Sequence, residues 1–249
     1  MAVGKSSPSG RRVQLHRALS KLGWGSRTQA WDWIRGGEVC VDGHVVTDPL
    51  TWIDLDRQHV TRHGQAAAPV APRTLALHKP RGVVTTRQDE LGRRTVYDLL
   101  PPELPWIFPA GRLDADSEGL LILTTDAALA VRLTEPDQHV PKTYHVTIVG
   151  RPTPEELQRL RDGVDLDDGP TRPAQVRLLR TRGQTTTLEV ILTEGRNRQI
   201  RRMLRAVGYR VRRLVWVAIG AFPLGELQAG ECRELTEAEV QRLLLRAGD

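Results

Sequence analysis

Apolar residues recur along this chain in two rhythms, and the switches between them mark its elements. In LHRALSKLG, Leu15, Leu19 and Leu22 fall at three- and four-residue spacing, which predicts a helix stopped by Gly23. GSRTQAWDWIRGG repeats that rhythm. Ser26 and Gln29 fit a capping box, Ala30, Trp33 and Ile34 form the apolar stripe, and Gly36-Gly37 ends it. EVCVDGHVV then shifts to a period of two, with Val39 and Val41 leading to Asp42-Gly43, the strongest short signal for a tight hairpin. Two short helices and a hairpin make a small module with little core of its own.

Residues 1–12 are small and polar, with Gly, Pro and Ser prominent, and suit a flexible tail. HGQAAAPVAPR, at 63–73, shows neither rhythm and suits an extended linker. From residue 74 the period of two dominates. TLALHKPRGVVTT reads as a strand, a basic loop and a second strand, and LGRRTVYDLLPPELP as a loop, a short helix and a proline stop. LLILTT, TYHVTIVG, QVRLLR, TTTLEVILT and YRVRRLVWVAIGAF read as strands, with Tyr144, Val146 and Ile148 on one face of the second. Asp126 and Thr153 cap two helices between them, EGRNRQIRRMLRAVG is a basic helix closed by Gly208, and TEAEVQRLLLRAG a capped final helix. Many strands with few, separated helices predict an α+β domain with a mostly antiparallel sheet. No glycine-rich nucleotide fingerprint appears, which argues against a dinucleotide-binding or P-loop enzyme.

Charge narrows the picture. Lys and Arg number 36 against 30 Asp and Glu, a formal +6, so a polyanionic partner is expected, nucleic acid or an anionic membrane surface. No apolar run approaches the roughly 18 to 20 residues of a membrane helix, which leaves nucleic acid. MAVGKSSPSGRR lacks an apolar signal core. Two distant cysteines and scattered histidines give no disulfide framework and no metal spacing. The expectation is a cytoplasmic protein with no metal and no cofactor.

Three stretches could carry chemistry. GRLDADSEGLL sets Asp114 and Asp116 beside Arg112, just before a buried strand, where an acid is either a solvated turn residue or one held at a cleft mouth. Tyr144 is either a packed strand tyrosine or a ring that stacks on a base. EGRNRQIRRMLR gathers Arg196, Arg198, Arg201, Arg202 and Arg205, and on a helix Arg198, Arg201, Arg202 and Arg205 would share spacing opposite Ile200, Met203 and Leu204. Five arginines so close favour binding of a nucleic-acid backbone over a solvated face. In the first module, Arg17, Lys21, Arg27 and Arg35 make either a solvated basic face or a phosphate-binding one.

The ordered motifs resemble a known family. LHRALSKLGWGSRTQAWDWIRGGEVCVDGHVV is similar to the S4 domain, a small RNA-binding module. HKPRGVVTT, TVYDLLP, FPAGRLDADSEGLLILTTD, VPKTYHVTIVG, GVDLDDGPTRPA, EGRNRQIRRMLRAVGYRVRRL and VAIGAFPLG follow the order found in the S4-containing ribosomal RNA pseudouridine synthases of the RsuA-type branch. The resemblance implies an S4 domain at 13–62, joined by the 63–73 linker to a catalytic domain at 74–249, acting as a monomer. It implies that Asp114 is the catalytic carboxylate, with Asp116 a companion acid, Tyr144 the active-site tyrosine and Arg201 the arginine that keeps Asp114 ionised. Lys79, Arg81 and Arg112 are expected to guide flanking phosphates, Arg198 and Arg202 to add electrostatic hold, and the basic face of Arg17, Lys21, Arg27 and Arg35 to bind RNA. Trp31 is expected as an exposed stacking surface. His78, Thr125 and Trp216 depart from the residues frequent in relatives.

The implied reaction detaches uracil from ribose, turns it and rejoins it through carbon, needing neither metal nor redox cofactor. The implied substrate is large-subunit ribosomal RNA or its precursor particle. Small-subunit ribosomal RNA is the alternative within the class, and a non-catalytic RNA-binding assembly factor the alternative outside it. A DNA-binding regulator using Ser26 to Arg35 as a recognition helix would need a dimerisation element that the sequence does not offer.

Overall fold

The computed structural model describes residues 12–66 and 71–245. They fall into two compact units, one reaching to Pro72 with Glu103–Ile107, the other running from Arg73 to Pro102 and from Phe108 onward. Most of the expected tail, residues 1–11, and residues 67–70 of the expected linker lie outside the described residues.

The first unit comprises β1 (Arg12–Gln14), α1 (Leu15–Lys21), α2 (Arg27–Arg35), β2 (Val39–Val41), β3 (His44–Val45), β4 (Trp52–Asp54), β5 (Val60–Arg62) and β6 (Gln65–Ala66). β1 pairs with β4, and the remaining strands form a sheet in the order β3-β2-β5-β6. The capping box forms as the spacing predicts: Gln29 N donates to Ser26 Oγ at 3.0 Å and Ser26 N to Gln29 Oε1 at 3.0 Å. Asp42 and Gly43 both take left-handed backbone, φ 51° and 82°, the twist a two-residue hairpin needs. Leu15, Leu19, Ala30, Ile34, Val39 and Ile53 are buried together. The linker expected to start at residue 63 instead opens with a second tight hairpin. His63 and Gly64, φ 50° and 73°, turn the chain so that Gln65 and Ala66 pair with Arg62 and Thr61.

The second unit holds β7 (Thr74–Lys79), β8 (Phe108–Pro109), β9 (Glu118–Thr124), α3 (Ala127–Thr134), β10 (Lys142–Val149), α4 (Pro154–Asp162), β11 (Asp165–Leu166), β12 (Gly169–Pro170), β13 (Gln175–Arg182), β14 (Thr185–Leu192), α5 (Gln199–Ala206), β15 (Arg210–Ile219), β16 (Phe222–Pro223), β17 (Cys232–Glu234) and α6 (Glu237–Arg242). Its sheet runs β13-β14-β10-β15-β9-β7-β17, with β16 on β15 and β8 on β9. Every pairing in it is antiparallel except β15 with β9. This is the α+β architecture the alternation predicts. The second strand expected in TLALHKPRGVVTT is reduced to a single bridge between Val84 and Thr95, because Pro80 and Gly82 (φ 85°) lead the chain away from the sheet.

The parallel pairing divides the sheet. Around β10, β13 and β14, with α4 and α5, Val146, Ile148, Leu188, Ile200, Met203 and Leu204 form one buried cluster. Around β7 and β9, with α3, Ala76, Leu120, Ile122, Leu129 and Leu133 form a second. Only Val215–Glu118 and Trp216–Gly119 pair across the seam, with Arg213 Nε donating to Glu118 beside them. Gly119 is required there: its φ is 117° and a Cβ would collide with the Trp216 backbone.

Candidate active site

GRLDADSEGLL occupies the approach to β9 and is pinned from beneath by the segment that follows β7. Thr85 Oγ1 donates to the Leu113 carbonyl at 2.8 Å, Gly82 N donates to Ala115 O at 2.7 Å, and Lys79 Nζ donates to Ser117 O at 2.8 Å. Asp114 is thereby held, partly exposed, on one wall of a cavity of about 950 Å³. Arg112, Tyr144, Trp216 and Arg198 line the same cavity.

Two arginines come to this loop from the far side of the seam, over 82 to 85 residues of sequence. Arg198 Nη1 lies 3.1 Å from Asp114 Oδ2, while its two terminal nitrogens donate to both Asp116 oxygens at 3.2 and 3.0 Å. Arg201 Nη2 donates to the Asp116 carbonyl at 3.0 Å and to Ser117 Oγ at 3.1 Å, and sits 3.3 Å from Asp116 Oδ2. Burial works to raise the Asp116 carboxyl, but the hydrogen bond from Arg198 and the charges of Arg201 and Arg198 outweigh it and hold the group below its ordinary value. The Arg201 guanidinium is drawn down by burial.

This corrects two expectations. The arginine in ion-pair contact with Asp114 is Arg198; Arg201 feels the Asp114 charge but grips the backbone and the companion acid. Arg198 also does not lie on the basic helix. It precedes α5 with left-handed backbone, φ 49°, and that turn aims its side chain at the two carboxylates instead of outward. Arg202 likewise is not a free basic residue, since it donates to both oxygens of Asp168 at 2.6 and 3.0 Å. Arg196 bonds the Gly169 carbonyl at 2.8 Å and Glu194 at 3.3 Å.

Lys79 requires a third correction. It is fully buried, its ammonium donating to Pro80 O at 2.9 Å as well as to Ser117 O, so it cannot reach a substrate phosphate. Its position ends a strand flanked on both sides by others, which takes the side chain under the loop. Burial pulls it down to about 8, with Asp114, Asp116 and Glu118 opposing that shift. Arg81 and Arg112 are exposed.

Tyr144 stacks on Trp216 with ring centroids 5.5 Å apart and planes 25° from parallel. Burial pushes its phenol well above the ordinary tyrosine range, so the hydroxyl stays protonated at neutral pH. Trp216, a departure in the motif, thus has a packing role under the tyrosine. Two residues of the cavity wall are missed by sequence reasoning. Glu194 is buried and accepts from Gln199 Nε2 at 2.6 Å and from Arg172 N at 2.9 Å, fixing the turn that carries Arg198. Lys142 is buried on β10, and the period of two that places Tyr144 also places Lys142 on its face.

In the first unit, Arg17, Lys21, Arg27 and Arg35 are exposed. Among the described residues none of the four forms an ion pair, and Arg35 lies 5.0 Å over the Trp31 ring. Trp31 is half-buried beneath it and beside His16, so it is not the open stacking surface expected. No helix among the described residues is long and apolar enough to cross a membrane.

Comparison with known proteins gives a consistent set of likenesses. The RNA pseudouridylate synthase family matches residues 73–206 and the S4 domain residues 14–50. An RNA pseudouridine synthase of Mycobacterium bovis is 40% identical over 100% of this chain and 99% of its own. Ribosomal large subunit pseudouridine synthase B of Bacillus subtilis is 37% identical, covering 92% of this chain and 95% of its own. Ribosomal large subunit pseudouridine synthase E of Xanthomonas axonopodis is 50% identical over 61% of this chain and 87% of its own. A crystal structure of a pseudouridylate synthase superposes with TM-score 0.67 at 28% identity, covering 93% of this chain and 99% of that one.

Proposed function

This chain belongs to the RNA pseudouridylate synthase family and carries an S4 domain, and from that premise we propose that it isomerises one uridine of large-subunit ribosomal RNA with Asp114 as the catalytic carboxylate. The observation that carries the reading is the convergence of Asp114, Arg198 and Tyr144 on one cavity. Two relatives named for the large ribosomal subunit, of Bacillus subtilis and Xanthomonas axonopodis, support the choice of RNA.

The reaction breaks the C1′–N1 bond, rotates the base and closes a C1′–C5 bond, with the C5 hydrogen leaving as a proton and N1 gaining one. A carboxylate at the sugar or base takes part as nucleophile or proton acceptor, and the Arg198 guanidinium stands 3.1 Å from Asp114. The target uridine has to leave its stack to enter the cavity. Tyr144, backed by Trp216, offers the flipped base an aromatic face, and its protonated hydroxyl can donate a hydrogen bond. Arg201 acts here as a positioning residue that holds the Asp116–Ser117 backbone under Asp114. Arg81 and Arg112 meet flanking phosphates, and the exposed basic face of the S4 domain holds RNA beyond the target.

The test is chemical mapping of pseudouridine in ribosomal RNA treated with the purified protein and with Asp114→Asn. A new modified position in large-subunit RNA, absent with the variant, is expected. A small-subunit position would redirect the substrate, and binding without modification by the wild type would leave an assembly factor in place of the enzyme.

A further inference from the structure

The second unit buries two lysines in the catalytic region, and they are placed in opposite circumstances. Lys79 donates to two carbonyls and is opposed in its desolvation by three nearby carboxylates. Lys142 is 6% exposed, and among the described residues its ammonium has neither a hydrogen-bond acceptor nor an ion-pair partner. Burial alone acts on it, with no carboxylate answering. A largely desolvated ammonium without a partner is costly and gains nothing for the fold. Such a group persists where a ligand supplies the missing charge.

Its surroundings identify that ligand. Lys142 lines the same cavity as Asp114 and Tyr144. It stands two residues before Tyr144 on β10, so both side chains project from one face of the strand. The phosphate-facing arginines Arg81 and Arg112 are exposed, whereas Lys142 lies with the aromatic pair in the buried part of the wall, where the base and not the backbone enters. We propose that Lys142 is a catalytic residue that contacts the target base and neutralises the negative charge the base carries while detached from ribose.

The inference rests on the pseudouridylation reading and adds a group to it. When the C1′–N1 bond breaks, its electron pair leaves with uracil, which is an anion delocalised over N1 and the two carbonyl oxygens. When C1′–C5 forms the base is neutral again, and the C5 proton then departs while N1 takes one up, so the product is neutral. The ammonium gives up no proton in this cycle. Its attraction is weak for the neutral uracil of the ground state and strong for the detached anion, so it lowers the barrier more than it tightens binding.

The experiment compares full-length wild type, Lys142→Met and Lys142→Arg on ribosomal RNA that the wild type modifies, measuring single-turnover rate, RNA affinity and Tm. Lys142→Met keeps the length and apolar stem of the side chain and removes the charge. Its rate should fall by about 100- to 1000-fold, with RNA affinity unchanged and Tm equal to or above that of the wild type. Lys142→Arg should recover part of the rate. Wild-type turnover by Lys142→Met would overturn the proposal, as would a rate that falls only in step with RNA affinity, the mark of a phosphate contact. A lowered Tm for Lys142→Met would also overturn it, by making the ammonium a support of the fold. If the wild type itself modifies no RNA, the pseudouridylation reading fails first and this inference falls with it.

Discussion

The basic stretch of the S4 domain and the basic stretch around α5 look alike as sequence, yet their charges meet opposite fates. Arg17, Lys21, Arg27 and Arg35 stand exposed with no acid across from them among the described residues. Arg196, Arg198, Arg201 and Arg202 are each tied to a carboxylate: Glu194 and Asp168, Asp114 and Asp116, Asp116 alone, and Asp168. Formal charge therefore does not measure the charge available to RNA. The first stretch is left open to solvent, and the second is scaffolding that ties the Asp114 loop in place.

That contrast breaks most sharply at Arg198. Arg198→Ala should lower turnover by about 100-fold, since a misplaced reacting group costs that much, while RNA affinity stays near that of the wild type. A large loss of affinity with intact turnover would show that the α5 stretch binds RNA after all. The S4 face should behave in the opposite way. Arg17→Glu with Arg27→Glu should raise KM and leave kcat alone. The slope of log affinity against log salt should become shallower by about 0.7–0.9 for each phosphate that those two arginines neutralise. An unchanged slope would remove the S4 face from the RNA interface.

Smaller effects sharpen the same division. Ser26→Ala deletes the cap that orients α2 and should destabilise the S4 domain by about 1 kcal/mol, read from its unfolding transition. Smallest of all is Arg202→Ala, which should alter neither the salt slope nor Tm appreciably, because the pair is solvent-accessible, with Arg202 half-buried and Asp168 exposed. The hydrogen bond from Arg202 draws the Asp168 carboxyl down to about 2. A carboxyl lowered in the folded state contributes above its unfolded value near 3.8 and loses that contribution as pH falls through about 2. Any difference between wild type and Arg202→Ala should therefore vanish only in strong acid; a difference that disappears near pH 5 would mean the pair is not formed.

Local devices were legible in the sequence. The Ser26–Gln29 box, the Asp42-Gly43 turn, the Asp126 cap and the Thr153–Glu156 box all depend on residues within a few positions of each other, and each is formed. The alternation of TYHVTIVG was legible for the same reason. Which arginine meets Asp114 was not, since it depends on a left-handed turn at Arg198 that no local pattern specifies, acting across more than 80 residues. Nor was the burial of Lys79, because periodicity tells which face a strand residue takes and not whether further strands cover both flanks. His63-Gly64 could have been read as a hairpin; only the alanines and prolines after it hid the turn.

The narrow seam at Gly119 and Trp216 has a consequence for how the molecule comes into being. Each half of the catalytic sheet owns a hydrophobic cluster that can gather without the other. The seam joins residues almost a hundred positions apart through two register pairs, fewer than the other long-range strand pairings have, so loop closure there is the least repaid by contacts. Asp114 arrives on one half and Arg198 with Tyr144 on the other. Competence is thus acquired after compaction. In refolding, backbone circular dichroism should be restored before RNA modification returns, and simultaneous recovery would show that the halves do not form independently. A side chain at position 119 should yield well-packed halves that cannot be joined, a protein that resembles its parent in spectrum while lacking a site.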